Sequence, residues 1–330
     1  MPIRIFKILM LIFSFVACVS SSKLERPKDF IDPKPALDLE NLRSYYFSSD
    51  GKSLLYVAEI LGRSPQIFLR NLESQRVRQI THQVGEIYEV AFMPGEQEII
   101  YTSTTDEEKE NPILLQMYLN PETVNHEERN TEIYISNMNG SNIRRLTKHQ
   151  GFDGYVDVHP TRGEIIFTEK GAAFYKIRLA EKQKKPRNYI SLNSNEKLPR
   201  FSPDGNILLW LSDRNGKLQF VLRENYPKTA ERLLPLDGFH RVDSVAFHPN
   251  SQWILFSAKK DEHQNIFAMR LKDACLMQVT FSKSLDQQPH FHPDGKSWYF
   301  VSNRKDKVRL WQSTYFPSEA CKPKAEVEKN

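Results

Sequence analysis

The 330-residue sequence predicts an all-β fold, a six-bladed β-propeller of four-stranded blades. Three observations carry that prediction. A unit of roughly 45 residues recurs six times, each unit has the pattern of four short strands, and sharp-turn residues stand between the strands. The copies read YYFSSDGKSLLYVA at 45–58, VAFMPGEQEIIYTS at 90–103, VDVHPTRGEIIFTE at 156–169, PRFSPDGNILLWLS at 199–212, VAFHPNSQWILFSA at 245–258 and PHFHPDGKSWYFVS at 289–302. Their anchors are Phe47, Phe92, Val158, Phe201, Phe247 and Phe291, spaced by 45, 66, 43, 46 and 44 residues.

Each copy continues alike. After the anchor, Pro-Asp-Gly or a variant supplies the turn. A second apolar run follows, then a third strand: IFLRNL (67–72), IYISNM (133–138), FYKIRL (174–179), LQFVLR (218–223), IFAMRL (266–271) or VRLWQS (308–313). A closing strand completes four of the copies: RVRQIT (76–81), NIRRLT (142–147), ERLLPL (231–236) and CLMQVT (275–280). Period-two alternation places these strands among neighbours on both faces. A lone blade cannot bury both faces, so the ring must close. Blade six has three strands of its own. Pro33 to Leu39 sits where the other units put their closing strand, and is expected to complete blade six as a Velcro closure. The propeller thus spans 33–321, and the charged tail 322–330 is expected to be disordered.

The N-terminus reads MPIRIFKILMLIFSFVACVSSSKLE. Arg4 and Lys7 precede an apolar stretch from Ile8 to Ala17. As a helix that stretch spans about 15 Å, half a bilayer core, which fits a signal peptide and not a membrane anchor. Phe15-Val16-Ala17-Cys18 resembles the bacterial lipobox, with Phe15 where Leu is usual. The resemblance implies removal of 1–17, lipidation of Cys18, a Ser-rich tether over 18–32 and, because Val19 is not Asp, an outer-membrane destination. Soluble periplasmic or secreted protein is the alternative. Either way the domain is exported to where disulfides persist, and Cys275 and Cys321 are the candidate pair.

The formal charge is +5. Removing Arg4 and Lys7 with the signal peptide leaves about +3. No Lys/Arg run is interleaved with aromatics, so nucleic acid is not an expected partner. The densest basic stretch, KQKKPR at 182–187, reads as a solvated loop.

The unit F-x-P-D-G…S-x-R…I-[FY]…R-x-[LV]-T resembles the TolB-type, WD-like propeller repeat of bacterial envelope proteins, over roughly Leu42 to Phe316. The resemblance implies a non-catalytic envelope protein. TolB carries an α/β domain ahead of its propeller. Only about twenty residues separate the lipobox here from the first repeat, so that domain's contacts are not carried over. Similar propellers occur fused to serine peptidases, but no G-x-S-x-G elbow is present.

The innermost strands line the channel, so residues just before each anchor form the candidate binding set: Arg43, Tyr46, Glu89, Asp157, Arg200, Asp243 and His290. Blade two carries an insertion over 104–131, acidic with an apolar middle. Ile113, Leu115, Met117 and Tyr118 are its candidate contacts for a protein partner. His159, His248 and His292 share one repeat slot. Spread around a ring they cannot converge on one ion at bonds of about 2 Å, so they read as turn residues and no metal is expected. No Ser/His/Asp order, CxxC or phosphate-cradling glycine loop stands out, and no cofactor is expected. The leading expectation is a monomeric, membrane-tethered scaffold that binds envelope proteins. The alternative is a hydrolase or lyase acting on a saccharide at the channel mouth.

Overall fold

The computed structural model describes residues 26–59, 64–105, 127, 129–181, 184–228, 230–260, 262–317 and 321. The 1–17 signal segment, Cys18, most of the tether, the insertion residues Ile113, Leu115, Met117 and Tyr118, and the 322–330 tail lie outside the described residues. Among them, alternating apolar residues and glycine turns give twenty-four strands, β1 to β24. The first is β1 (Lys34–Glu40). Blade one is β2 (Leu42–Phe47), β3 (Ser53–Ala58), β4 (Gln66–Asn71) and β5 (Val77–Gln79). Blade two is β6 (Ile87–Phe92), β7 (Glu98–Ser103), β8 (Glu132–Asn137) and β9 (Arg144–Arg145). Blade three is β10 (Asp153–Val158), β11 (Ile165–Lys170), β12 (Tyr175–Ala180) and β13 (Arg187–Ile190). Blade four is β14 (Glu196–Phe201), β15 (Ile207–Ser212), β16 (Gln219–Glu224) and β17 (Glu231–Pro235). Blade five is β18 (Arg241–Phe247), β19 (Trp253–Lys260), β20 (His263–Arg270) and β21 (Cys275–Gln278). Blade six is β22 (Asp286–Phe291), β23 (Trp298–Ser302) and β24 (Arg309–Ser313), and its sheet runs β22-β23-β24-β1. β1 is antiparallel to β24, with Lys34 opposite Gln312 and Pro35 opposite Trp311.

Six four-stranded antiparallel blades therefore stand in a ring. The core lies between them as apolar clusters shared by neighbouring sheets. Leu42, Tyr45, Phe47, Leu54 and Tyr56 of blade one pack with Val301 and Leu310 of blade six. Ala91, Ile100, Ile133 and Ile135 of blade two pack with Val156, Ile165 and Phe167 of blade three. Each of the Val, Leu, Ile and Phe side chains among them stabilises the fold by about 1.5–3 kcal/mol when fully buried. The sequence reading left blade three without a closing strand. β13 fills that place, beyond the basic loop. The closing strands are shorter than the apolar pattern implied, but the next residue in three of them still pairs with the third strand, as Ile80 N–H does with the Ile67 carbonyl at 2.8 Å. Thr81, Thr147 and Thr280 end three copies, and their hydroxyls accept the third-strand amides of Ile67, Ile133 and Ile266 at 2.9, 3.0 and 2.9 Å. This is the physical role of the repeat's terminal threonine.

The histidines of the shared slot have a structural task. In each, Nδ1 accepts amide N–H bonds from its own turn, as from Arg162 to His159 at 3.2 Å and from Asn250 to His248 at 3.0 Å. Nε2 then carries the proton and points to the next blade. His159 Nε2 reaches the Gly205 carbonyl at 3.2 Å, and His292 Nε2 reaches that of Gly51 at 3.3 Å. Burial lowers the pKa of His159 and His248, which keeps those rings neutral. Gly205 has φ +72, and a Cβ there would stand 2.5 Å from His159 Cε1. The turn glycine is thus required twice, for its backbone conformation and for the neighbouring ring.

Cys275 and Cys321 form a disulfide, with Cα atoms 5.9 Å apart, inside the usual range for such a bond. It joins the chain's C-terminal part to the edge strand of blade five, where Arg270 also donates to the Cys321 carbonyl.

Gly205→Ala is expected to lower stability by about 1–2 kcal/mol from the left-handed backbone alone, and further by displacing His159. Adding His159→Ala should relieve the second part and leave the first. Denaturant midpoints of the two single variants and the double variant measure both.

Candidate functional site

Every innermost strand breaks register once. The shifts fall between Leu42 and Ser44, Ile87 and Glu89, Gly154 and Asp157, Lys197 and Arg200, Val242 and Ser244, and Gln287 and His290. At the three wider ones, Tyr155, Leu198 and Gln288 take φ of 52°, 54° and 52°. A bulge re-aims the side chains beside it. Arg43 and Asp243 lie within such breaks, and Glu89, Asp157, Arg200 and His290 close them. Six bulges therefore turn six side chains of the expected set toward the ring axis, and Tyr46 joins them from β2.

The result is a central cavity of about 370 Å³ whose lining includes all seven: Arg43, Tyr46, Glu89, Asp157, Arg200, Asp243 and His290. Sequence reasoning missed Glu86, Tyr88, Arg241 and Gln288, which also line it. Glu86 and Arg241 stand six residues before their anchors, further out than the expected set, whereas Tyr88 and Gln288 share the offsets of Arg43 and Glu89.

The charges of the cavity neutralise one another. Arg43 Nη1 donates to Glu86 at 2.7 Å and lies over the Tyr88 ring, whose hydroxyl donates to Glu86 at 2.9 Å. Burial opposes ionisation of Glu86, but Arg43, the Tyr88 hydroxyl and Arg129 together hold its carboxyl below the usual range. Arg241 pairs with Asp243. Arg200 donates to the carbonyls of Tyr155 at 3.1 Å and Val245 at 3.3 Å, tying blade four to blades three and five. Asp157 accepts the Phe201 amide at 2.7 Å. Burial raises the Glu89 and Asp157 carboxyls, with Arg200 pulling both back down. Burial, and then the Arg200 charge, push the His290 imidazole down to about 3. It is neutral at pH 7, with its ring 5.1 Å from that of Tyr45 and 5.5 Å from that of Tyr46.

A second cavity of about 340 Å³ opens between blades four and five, lined by Lys197, Asp213, His240 and Asp243 among others. Glu127, at the returning end of the blade-two insertion, reaches it. Its carboxylate accepts from Lys197 at 2.7 Å and from the Tyr175 hydroxyl at 3.0 Å, and the Tyr155 hydroxyl donates to it as well. The insertion's end is thus held on blades three and four. The repeat pattern carries no signal for Glu127, because the insertion lies outside every repeat.

Among the described residues, one His/Asp/Glu group is close enough to share an ion: His149, Asp153 and Glu169. It lies outside the lining of the central cavity. It is also unrelated to the histidine slot that the sequence brought forward. No helix among the described residues is long and apolar enough to cross a membrane.

No family model matches the sequence. Among solved structures, TolB from Acinetobacter baumannii is similar over 79% of this chain and 64% of its own, at 14% identity and TM-score 0.57. This chain therefore spans less than two thirds of that protein. A TolB-designated protein from Agrobacterium tumefaciens is matched over 84% of this chain and 91% of its own, at 13% identity and TM-score 0.59. The chain has the TolB-like six-bladed propeller fold. An oligogalacturonate lyase solved in complex with manganese is similar over 87% of this chain and 98% of its own, at 13% identity and TM-score 0.55. The TolB-like propeller thus has neighbours of different activity, and function must be argued from its cavity.

The neutral His290 predicts a pH response. Its folded pKa lies below the unfolded value of 6.5, so the unfolded chain takes up the proton first as pH falls. The His290 contribution is present above pH 6.5 and is lost as pH falls toward about 3. The raised carboxyls of Glu89 and Asp157 act in the opposite sense. His290→Gln should therefore lose less stability than the wild type between pH 7 and pH 4 in paired denaturation curves.

Proposed function

We propose that this protein is an exported envelope lipoprotein, tethered through Cys18 to the outer membrane, whose propeller is a non-catalytic scaffold taking a segment of a partner protein into its central cavity. The observation that carries the reading is the charge balance of that cavity. Three arginines face four carboxylates, Glu86, Glu89, Asp157 and Asp243, and His290 adds no charge. Arg43 and Arg241 are already paired, and Arg200 is engaged with backbone carbonyls. A polyanionic saccharide needs cations to spare. A peptide segment, with donors, acceptors and small dipoles along its length, fits a lining of alternating sign and aromatic rings better. The volume, about 370 Å³, suits a few residues of a partner and not a whole domain.

The test is site-specific photo-crosslinking in intact envelopes. A photoreactive residue at Arg43 should capture one defined protein, and Arg200→Ala should lose it. The same probe at Val84, 78% exposed and away from the cavity, should not capture it. Cys18→Ala should leave the membrane fraction. Release of unsaturated ends from oligogalacturonate, read by ultraviolet absorbance, would replace this reading with a lyase.

A further inference from the structure

Two blades show how this fold treats a buried acid at the start of the innermost strand. In blade four, Glu196 is fully buried. It accepts from Ser212 Oγ at 2.9 Å and from Arg214 Nε and Nη2 at 3.3 Å each. In blade six, Asp286 is fully buried. It accepts from Ser302 Oγ at 2.7 Å and from Arg304 Nη2 at 2.6 Å. The serine ends the second strand and the arginine lies two residues further on. Each buried carboxylate thus has a strand-end hydroxyl and a guanidinium, and Glu196 also accepts from Ser194 Oγ at 2.6 Å and from Trp210 Nε1 at 2.5 Å.

Blade three keeps the acid and loses both partners. Asp153 occupies the same slot, five residues before its anchor, and is likewise fully buried. The serine position is Glu169, paired across the strands with Asp153, and the arginine position is Gly171. Neither carboxylate oxygen of Asp153 has a hydrogen-bond partner. Thr147 is near, but its proton goes to Glu132. The two other acids around the site each have cations of their own. Glu132 is held by Arg145 at 2.8 Å, and Glu169 by Lys176 at 2.7 Å and Arg178 at 3.2 Å. What faces Asp153 instead is His149, with Nδ1 3.7 Å from Oδ1. That nitrogen also lacks a hydrogen bond. One ligand atom from each of His149, Asp153 and Glu169 lies within 4.8 Å of the others. The His149 side chain is 33% exposed, which leaves a path from solvent.

We propose that a divalent transition-metal ion binds between Asp153, His149 Nδ1 and Glu169, in the place that an arginine guanidinium fills in blades four and six. One imidazole and two carboxylates suit zinc or manganese. At bonds of about 2.1 Å the ligand atoms need to draw together by roughly an ångström, within reach of a partly exposed histidine on a loop. Burial, with Glu132 and Glu169 adding to it, pushes the Asp153 carboxyl well above its ordinary range. A cation beside it removes that cost. The role is structural. The ion joins β10 and β11 to the loop that carries His149, and it is independent of what the central cavity binds.

The experiment uses the full exported chain, stripped with chelator and titrated with zinc and with manganese by calorimetry. Elemental analysis and thermal unfolding run alongside. Saturable binding of one equivalent of either ion is expected, with an unfolding temperature that climbs with free metal. His149→Ala and Asp153→Asn should each remove that equivalent and the thermal shift. Asp153→Asn should leave the stripped protein at least as stable as the wild type, because it deletes an unpaired buried carboxylate. Binding that survives both substitutions, or no saturable binding of either ion by the wild type, overturns the proposal.

Discussion

A four-stranded sheet with apolar side chains on both faces can cover neither face by itself, and the whole architecture follows from that. Each blade is covered by the next, so no blade is stable until the ring is complete. β1 lies beside β24, and the first described strand joins the last three described strands in one sheet. Covering the faces also fixes where polar groups go. They are pushed to the two ends of each blade and to the inner edge. At the ends they become turns, threonine caps and acid–arginine pairs, and at the inner edge they become the lining of the central cavity.

The cavity is built by irregularity and not by regular strand. Strict alternation would give each innermost strand one fixed face toward its neighbour. The six bulges break that alternation and turn charged side chains to the axis. Burial makes the same charges costly, so they are met by one another or by backbone groups. Arg200 shows both sides of this. It binds carbonyls in the two flanking blades, pulls the Glu89 and Asp157 carboxyls back down against burial, and pushes His290 down further along with it.

Much of this was legible in the sequence because the repeat aligns equivalent positions. The anchors and the turns come from comparing equivalent slots across copies, and the axial set, from Arg43 to His290, from the short stretch just ahead of each anchor. What escaped were interactions that cross between copies or lie outside them. The meeting of His159 with Gly205 joins residues 46 apart, and periodicity shows each partner without showing the contact. Glu127 comes from an insertion with no counterpart. The exception in blade three could be read only once the ordinary pattern was understood. Glu169 and Gly171 carry no meaning until Ser212 and Arg214 have been seen to hold Glu196.

The histidine–glycine contacts are not spread evenly. They join blade three to four, five to six and six to one. The other three seams have serine or methionine in that slot, at Ser48, Met93 and Ser202. By this measure the ring is segmented into a pair, a triplet and blade two, whose seams are held instead by Arg43 on Glu86 toward blade one and by Glu89 under the Val156 amide toward blade three. Blade two, the blade from which the long insertion springs, is thus joined to both neighbours by side-chain carboxylates and not by a histidine ring.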